Sequence, residues 1–349
     1  MADNHRCSMA EIAKICGVSK ATVSRVINNN PNGVGEETRQ RVLKTIEELK
    51  YRPNTLARGV ATSRSNIVGL VVPDVSNFFY PKMIRGVMDY MDSVGYSVIL
   101  GNSDYDPRQE AHQLLHMIDK RADGIILCSG VSNHEFLSDF KKYHVPLGLV
   151  GRTFDHSLSA TSITGDNIRG GFKSASYLLR GENRRIVYAE GNPGLAGSQQ
   201  RLEGYRKAHR DAGVEICPEL ILSGDYSIDY GRQVVDDLLD QKIPFDAIMT
   251  GSDLIAIGVV SQLQRRGIRV PEEVEVIGFD NIELTAVVNP PLSTVSKPHY
   301  QMAKHISQQL IRIINGEQVL LPHTIVEPQL VLRSTTRSHE YDNEYEQER

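Results

Sequence analysis

From Ile67 onward, short apolar runs rich in Val and Ile alternate with stretches of helical periodicity. That alternation is the feature that most narrows the fold. A strand that is apolar on both sides must be covered on both faces, and helices between such strands provide the cover, so the pattern implies parallel sheets. The first series runs IVGLVVP, a helix near 81–92, YSVILGN, a helix over 107–121, GIILCSG, a helix over 132–143, and VPLGLVG. The second opens with a helix at 169–180 and continues RIVYAEG, 196–212, LIL, 228–240, AIMTG, 253–266 and VEVIGF. This is too many strands for one sheet. Two similar βα lobes with a boundary near Asp166 fit better, with PPLSTV (290–295) and VLLPHT (319–324) as further crossings between them.

The segment before Ile67 has a different pattern, that of three short helices. Ser8 and Glu11 have the spacing of a capping box. The first helix, Met9 to Cys16, places Ile12, Ala13 and Cys16 on one face, and Gly17 breaks it. Ser19 suits the cap of a second helix, Lys20 to Asn28, with Val23 and Ile27 facing inward. NNNPNG (28–33) is a turn cluster. A third helix starts at Glu36, with Val42, Leu43, Ile46 and Leu49 expected on its buried side and two acids at the positive end of its dipole. Helix, glycine turn and capped second helix make a helix-turn-helix. Its second helix carries Lys20, Ala21, Ser24 and Arg25 on one face, short and basic residues able to reach base edges or phosphates in a major groove. After it, YRPNTLARGVATSRS holds Pro53 and a short helix over 55–61, weakened by Gly59. Alone such a helix is marginal, and it is expected to order only against a partner.

Charge supports the division. Up to Arg64 there are eleven Lys or Arg against six Asp or Glu, a balance of +5, while the remainder carries −9 within the total of −4. A basic head on an acidic body suits a polyanion-binding module joined to one that avoids polyanions. No apolar run approaches the ~20 residues that span a bilayer. The amino-terminal stretch lacks the apolar core of a secretory signal, so a cytoplasmic location is expected. Cys7, Cys16, Cys128 and Cys217 are scattered, with no metal-binding spacing, and are expected to be reduced thiols. Enzyme motifs are weak. GNPGLAG (191–197) is spaced GxxGxxG rather than GxGxxG, with no acidic strand end about twenty residues later. There is no phosphate-binding GxxxxGK[ST], no HExxH, and no GxSxG elbow.

The residues AEIAKICGVSKATVSRVINNN, the run ETRQRVLKTIEELKYRPNTLARGVATSRSNIVGLVVPDVSNFFY, and then DNIRGG, RLEGYRKAH, SDLIAIG, RRGIRVPEEVEVIGFDNIEL and NPPLSTVSKP together resemble the lactose-repressor/galactose-repressor (LacI/GalR) family. The resemblance covers about residues 8–335, with its motifs in order. It implies an all-α helix-turn-helix head (1–50), a hinge helix and linker (51–65), a two-lobed α/β core of doubly wound parallel sheets resembling type I periplasmic sugar-binding proteins (66–337), and an acidic tail (338–349) that composition marks as disordered. Carried over, it implies DNA contacts by Ser19, Lys20, Ala21, Thr22, Ser24 and Arg25, with Lys20 and Ala21 at the specificity positions, and by Asn54, Ala57 and Arg58 of the hinge. Val60 stands where the family usually has a Leu wedged into a central base step. Val is one methylene shorter, worth about 0.8 kcal/mol of apolar burial. Leu56 lies on the same face, and hinge–hinge packing is the alternative role for both.

Ligands of open α/β sheets bind beyond the carboxyl ends of the strands. Residues placed there include Asp74, Asn77, Phe79, Tyr80, Asn102, Ser103, Arg152, Arg201, Ser252, Asp253 and Asp280. Aromatic faces with Asp, Asn and Arg suit a sugar. The resemblance implies sugar contacts by Phe79, Arg152, Arg201 and Asp280. For each, a loop or cap role competes, most clearly for Asp253, which is expected to cap its helix. Three departures stand out: Gly151 where sugar-binding relatives often have Asp, Ser252 where they often have Asn, and Lys297 where Gln is frequent. If Arg152, Arg201 and Lys297 all face the cleft, it is electropositive and suits an acidic sugar derivative. The alternative is Lys297 pointing to solvent. The expectation is therefore a homodimeric regulator, a repressor rather than an activator, that reads a near-palindromic operator under control of a small carbohydrate effector. No cofactor, metal or catalytic residue is expected. A sugar receptor without DNA function, or an α/β enzyme, is the alternative.

Overall fold

The computed structural model describes residues 7–27, 33–51, 64–128, 134–151, 159–181 and 183–338. They fall into two compact units that divide after Asn66.

The first unit is helical, with α1 (Met9–Ile15), α2 (Lys20–Ile27) and α3 (Glu36–Glu48). The capping box forms as spaced: the Ser8 hydroxyl accepts from the Glu11 backbone, and the Glu11 carboxylate accepts from the Ser8 backbone N–H at 2.6 Å. Ile12, Ala13, Cys16, Val23, Val26 and Val42 make the small core. Three expectations are corrected. The buried pair on α2 is Val23 and Val26, with Ile27 only partly covered. Leu43 and Leu49 of α3 are exposed, and Thr45 takes the buried place, donating to the Arg41 carbonyl and accepting from the Cys16 thiol. A helix of this length against two short neighbours can bury only a narrow stripe, here the one through Val42 and Thr45. The expected hinge helix, and with it Asn54, Leu56, Ala57, Arg58 and Val60, lies outside the described residues, as does the tail beyond Ser338.

The second unit holds β1 (Ile67–Val72), α4 (Tyr80–Ser93), β2 (Ser97–Asn102), α5 (Pro107–Asp119), β3 (Gly124–Cys128), α6 (His134–Phe140), β4 (Leu147–Val150), β5 (Thr161–Gly165), α7 (Asn167–Arg180), β6 (Ile186–Glu190), α8 (Ala196–Ala212), β7 (Ile221–Ser223), α9 (Ile228–Asp240), β8 (Ala247–Thr250), α10 (Asp253–Arg265), β9 (Glu275–Asp280), β10 (Ser293–Ser296), α11 (His299–Ile314), β11 (His323–Val326) and β12 (Gln329–Val331). Two six-stranded sheets result, ordered β11-β5-β4-β3-β1-β2 and β12-β10-β9-β8-β6-β7. Every strand pair is parallel except β10 with β12. β1 shows why its run is continuously apolar. Val68, Leu70 and Val72 pack under α4 and α11, while Val71 faces α5 with Leu114 and Met117.

The short strand β12, β5 and α11 are additional to the elements read from the sequence. β5 is nearly polar, with Ile163 as its one large apolar residue, and α11 spans the covering face of the first lobe through Met302, Ala303, Ile306 and Leu310. Among the described residues, the chain crosses between lobes three times, at 165–167, 296–299 and 326–329. The crossings are tied together, since the Asp166 N–H donates to the Val326 carbonyl at 2.9 Å. Among the described residues, no helix is long and apolar enough to cross a membrane.

Ile12 is fully buried at the centre of the head. Ile12→Ala is expected to cost about 2–5 kcal/mol, comparable to the whole stability of a unit of this size, about 2–6 kcal/mol. Hydrogen exchange followed by mass spectrometry should show α1–α3 losing protection while the strands of both lobes keep theirs.

Candidate functional site

Two places collect the residues singled out above. In the head, the Ser19 hydroxyl accepts from the Thr22 backbone at 3.1 Å and lies 2.9 Å from the Thr22 hydroxyl, which caps α2. The apolar side of α2 is buried through Val23 and Val26, so Lys20, Ala21 and Arg25 stand exposed on the other side, with Thr22 and Ser24 half-covered beside them. With no acid in its first turn, α2 leaves the positive end of its dipole unneutralised by its own sequence.

In the core, both sheets present the carboxyl ends of their strands to one cleft. The switch points of strand order lie there, between β1 and β3 and between β6 and β8. The first lobe contributes Asn77, Phe79, Tyr80, Met83, Tyr105 and Cys128. The second contributes Asn167, Leu195, Arg201, Tyr226, Ser252 and Asp280, and the crossings add Gly165, Lys297 and His299.

The charged centre is buried. Arg201 projects from α8 over the Phe279 ring, 4.1 Å from its centroid. Its Nε donates to Asn167 Oδ1 at 3.3 Å and its Nη1 donates to the Gly251 carbonyl. Its Nη2 lies 4.0 Å from Asp280 Oδ1, and Lys297 Nζ lies 3.2 Å from the same oxygen. Asp280 ends β9 with φ +104, a backbone conformation that costs a non-glycine residue about 1–3 kcal/mol. The turn is held by Asp253, which accepts from the Ile282 N–H at 2.8 Å and the Thr294 hydroxyl at 2.5 Å.

Burial alone would raise the Asp280 carboxyl, but the charges of Lys297 and Arg201 outweigh it and hold the group below its ordinary range. Burial pulls Lys297 down to about 8, against the attraction of Asp280 and with the repulsion of Arg201. Burial, with Lys297 adding to it, takes His299 to about 3, so this ring is neutral. Asp253 is pushed well above the carboxylate range by burial and then by Asp280.

Aromatic rings line the rest. Phe79 meets His299 edge-on at 4.6 Å and Tyr80 at 4.8 Å. Tyr105 of the first lobe stacks on Tyr226 of the second at 6.3 Å, and Lys82 pairs with Glu283 across the lobes at 3.6 Å. The glycine-rich stretch 191–197 has a packing role here. A Cβ on Gly191 would lie 2.1 Å from the Tyr226 ring, so the glycine lets that ring reach the cleft.

The structure also separates residues that were grouped. Asp74 and Asn102 brace the loop after β1, accepting from the Ser76 and Val75 N–H groups at 2.8 Å. Ser103 is fully buried and does not line the cleft. Ser252, not Asp253, caps α10 by accepting from the Ile255 N–H, and Asp253 instead serves the turn after β9. Lys297 is not in solvent, as only 6% of its side chain is exposed. Arg152 lies outside the described residues. Asn167, Tyr105, Tyr226 and His299 line the cleft without having been singled out. Their position follows from α7, α11 and two loops, and no spacing in the sequence marks them.

Comparison with known proteins agrees on the family. The profile described as "Bacterial regulatory proteins, lacI family" matches residues 8–54, and that described as "Periplasmic binding protein-like domain" matches residues 175–336. Catabolite control protein A of Priestia megaterium is 36% identical over 90% of this chain and 96% of its own length. The HTH-type transcriptional repressor CytR of Escherichia coli is 31% identical over 95% and 96%. A solved structure, the transcriptional regulator CelR–cellobiose complex, superposes with a TM-score of 0.72 at 28% identity, covering 95% of this chain and all of that one. The chain belongs to the LacI family. It is a DNA-binding transcriptional regulator with a helix-turn-helix head and an effector-binding core.

As a LacI-family core, its cleft has a titratable centre within reach of measurement. Lys297 binds fewer protons folded than unfolded between about pH 8 and its ordinary value of 10.5, so stability should rise with pH across that window. Denaturant titrations at pH 7, 8, 9 and 10 should show this rise, and Lys297→Met should flatten it.

Proposed function

We propose that this chain is a homodimeric repressor and not an enzyme. Its two heads read the half-sites of a near-palindromic operator, and a small carbohydrate-like effector in the core cleft sets how tightly they hold. The observation that carries the reading is the joint match of head and core to LacI-family regulators, together with the exposed basic face of α2.

In the head, Lys20 and Ala21 sit at the start of α2, where a recognition helix meets base edges. Ser19, Thr22, Ser24 and Arg25 serve phosphates and neighbouring bases. Asn54, Ala57, Arg58 and Val60 of the hinge segment add minor-groove contacts. In the core, Phe79 and Tyr80 stack on the ligand ring. Arg201, Asp280, Asn167, Asn77 and Ser252 bind its polar groups, with Arg152 and Lys297 adding positive charge. The related CelR structure holds cellobiose, which supports a carbohydrate as the ligand class.

The ligand acts by changing how the lobes close. Tyr105 on Tyr226 and Lys82 with Glu283 are contacts that exist only while the lobes face each other closely. A ligand that prefers one degree of closure shifts operator affinity by the same factor that operator shifts ligand affinity, typically about 1–3 kcal/mol.

The test begins with selection of an operator from random-sequence duplexes, followed by fluorescence anisotropy. Arg25→Ala should weaken binding to the selected duplex by roughly tenfold or more, and substitution of Lys20 should change which half-site sequence is preferred. Affinity should fall steeply with salt, because phosphate contacts release counterions. Equal affinity of the wild-type protein for selected and random duplexes would overturn the reading.

A further inference from the structure

The charges around the cleft do not balance. Among its described lining residues there are two cations, Arg201 and Lys297, and one carboxylate, Asp280. All three are at least nine-tenths buried. Both cations approach the same atom, Asp280 Oδ1, from 4.0 and 3.2 Å. The two cations thus share a single carboxylate oxygen, with Lys297 the nearer of the two. One carboxylate cannot neutralise two cations, and an uncompensated buried cation is costly.

Among the described residues, no second carboxylate lines the cleft. Asp253, behind Asp280, is bonded to Thr294 and Ile282 and kept toward its neutral form by burial. Glu190 at the end of β6 accepts from the Ser223 hydroxyl and does not line the cleft. Lys82 above His299 adds positive charge and is partnered by Glu283. His299 is neutral, and its buried Nε2 has no hydrogen-bond partner. Tyr80, Ser252 and His299, at the starts of α4, α10 and α11, line the cleft, so three helix dipoles add their positive ends, while α7, which begins there at Asn167, is capped by the Asp166 carboxylate.

Lys297 is also built in rather than left over. Its stem lies on Gly165, where a Cβ would come within 2.2 Å of Lys297 Cδ. Its ammonium lies 4.8 Å from the Phe279 ring centroid and 5.9 Å from that of Phe79. A crossing between lobes thus carries a fixed cation into the cleft.

We propose that the effector is an anion, a small molecule bearing a carboxylate or phosphate, and that Lys297 is the residue that selects it. The anionic group takes Lys297 and Arg201 as partners and completes the charge balance that Asp280 alone leaves short. The neutral His299 Nε2 and the Asn167 amide offer hydrogen bonds to the rest of the ligand. This rests on the regulator reading above and names the chemistry of its ligand.

The inference is tested on the full-length protein with inorganic phosphate as the probe. Thermal-shift titrations at pH 7 compare sodium phosphate with sodium chloride at equal ionic strength, in the wild type, Lys297→Gln and Asp280→Asn. The expected result is saturable stabilisation by phosphate beyond that of chloride. Apparent affinity should fall roughly tenfold in Lys297→Gln and rise in Asp280→Asn, because the competing carboxylate is gone. A purely structural role would weaken both variants alike. Phosphate binding to the basic head would leave all three equal. Either outcome, or no response beyond chloride, overturns the inference. Operator binding by the wild-type protein is measured in parallel. If it is specific while phosphate has no effect, the anion inference alone fails. If it is not specific, the regulator reading fails.

Discussion

One buried oxygen, Asp280 Oδ1, is approached by two cations that come from different parts of the chain. Arg201 arrives on α8 of the second lobe, and Lys297 arrives on a segment that crosses between the lobes. Asp280 holds its place only because its backbone is bent to φ +104 and braced by Asp253. The cleft is therefore assembled by the fold rather than by a local motif. Its parts converge because both sheets turn their carboxyl ends inward, and because helix starts follow those ends.

The same cluster links ligand and motion. Lys297 lies in one crossing and packs on Gly165 in another, while the third is hydrogen-bonded to the first through Asp166 and Val326. Lys297 is thereby packed among the three segments that join the lobes. The contacts that mark closure are an aromatic stack and one half-exposed ion pair, neither of which is strong. A modest ligand energy is enough to shift such a balance, as a switch requires.

Much of this was legible in the residues. Continuous Val and Ile runs define the strands, because those residues are buried on both faces, and Ser8, Glu11 and Ser19 mark the caps that form. β5 hides because Thr161, Ser162, Thr164 and Gly165 replace the apolar signal. Thr161 is held instead by its hydroxyl, which donates to the Pro322 carbonyl from a distant part of the chain. α11 went unread although Met302, Ile306 and Leu310 stand at four-residue steps, because it lies between segments that read as crossings. In the head, spacing alone overestimates burial on α3, since Leu43 and Leu49 are exposed among the described residues. For the cleft, Arg201 and Asp280 were singled out by their place after strands and by the family resemblance, and Lys297 only by its departure from the Gln frequent in relatives. The partnership of His299 and Asn167 with them was not, because it depends on where two helices begin in space. Nor does the sequence alone distinguish the capping role of Ser252 from that of Asp253, since both types cap helices well.

The central claim is that the charge state of this cleft governs the grip of the head on DNA. The most direct measurement is the affinity for an operator duplex, selected in vitro, of the wild type and of Asp280→Asn at one fixed salt concentration and with no ligand added. Head integrity is checked by hydrogen exchange over α1–α3. The account predicts a change of about fivefold or more, within the range of ordinary allosteric coupling, with the head equally protected in both proteins. Identical operator affinity in the two proteins, with the core of the variant folded, would contradict it.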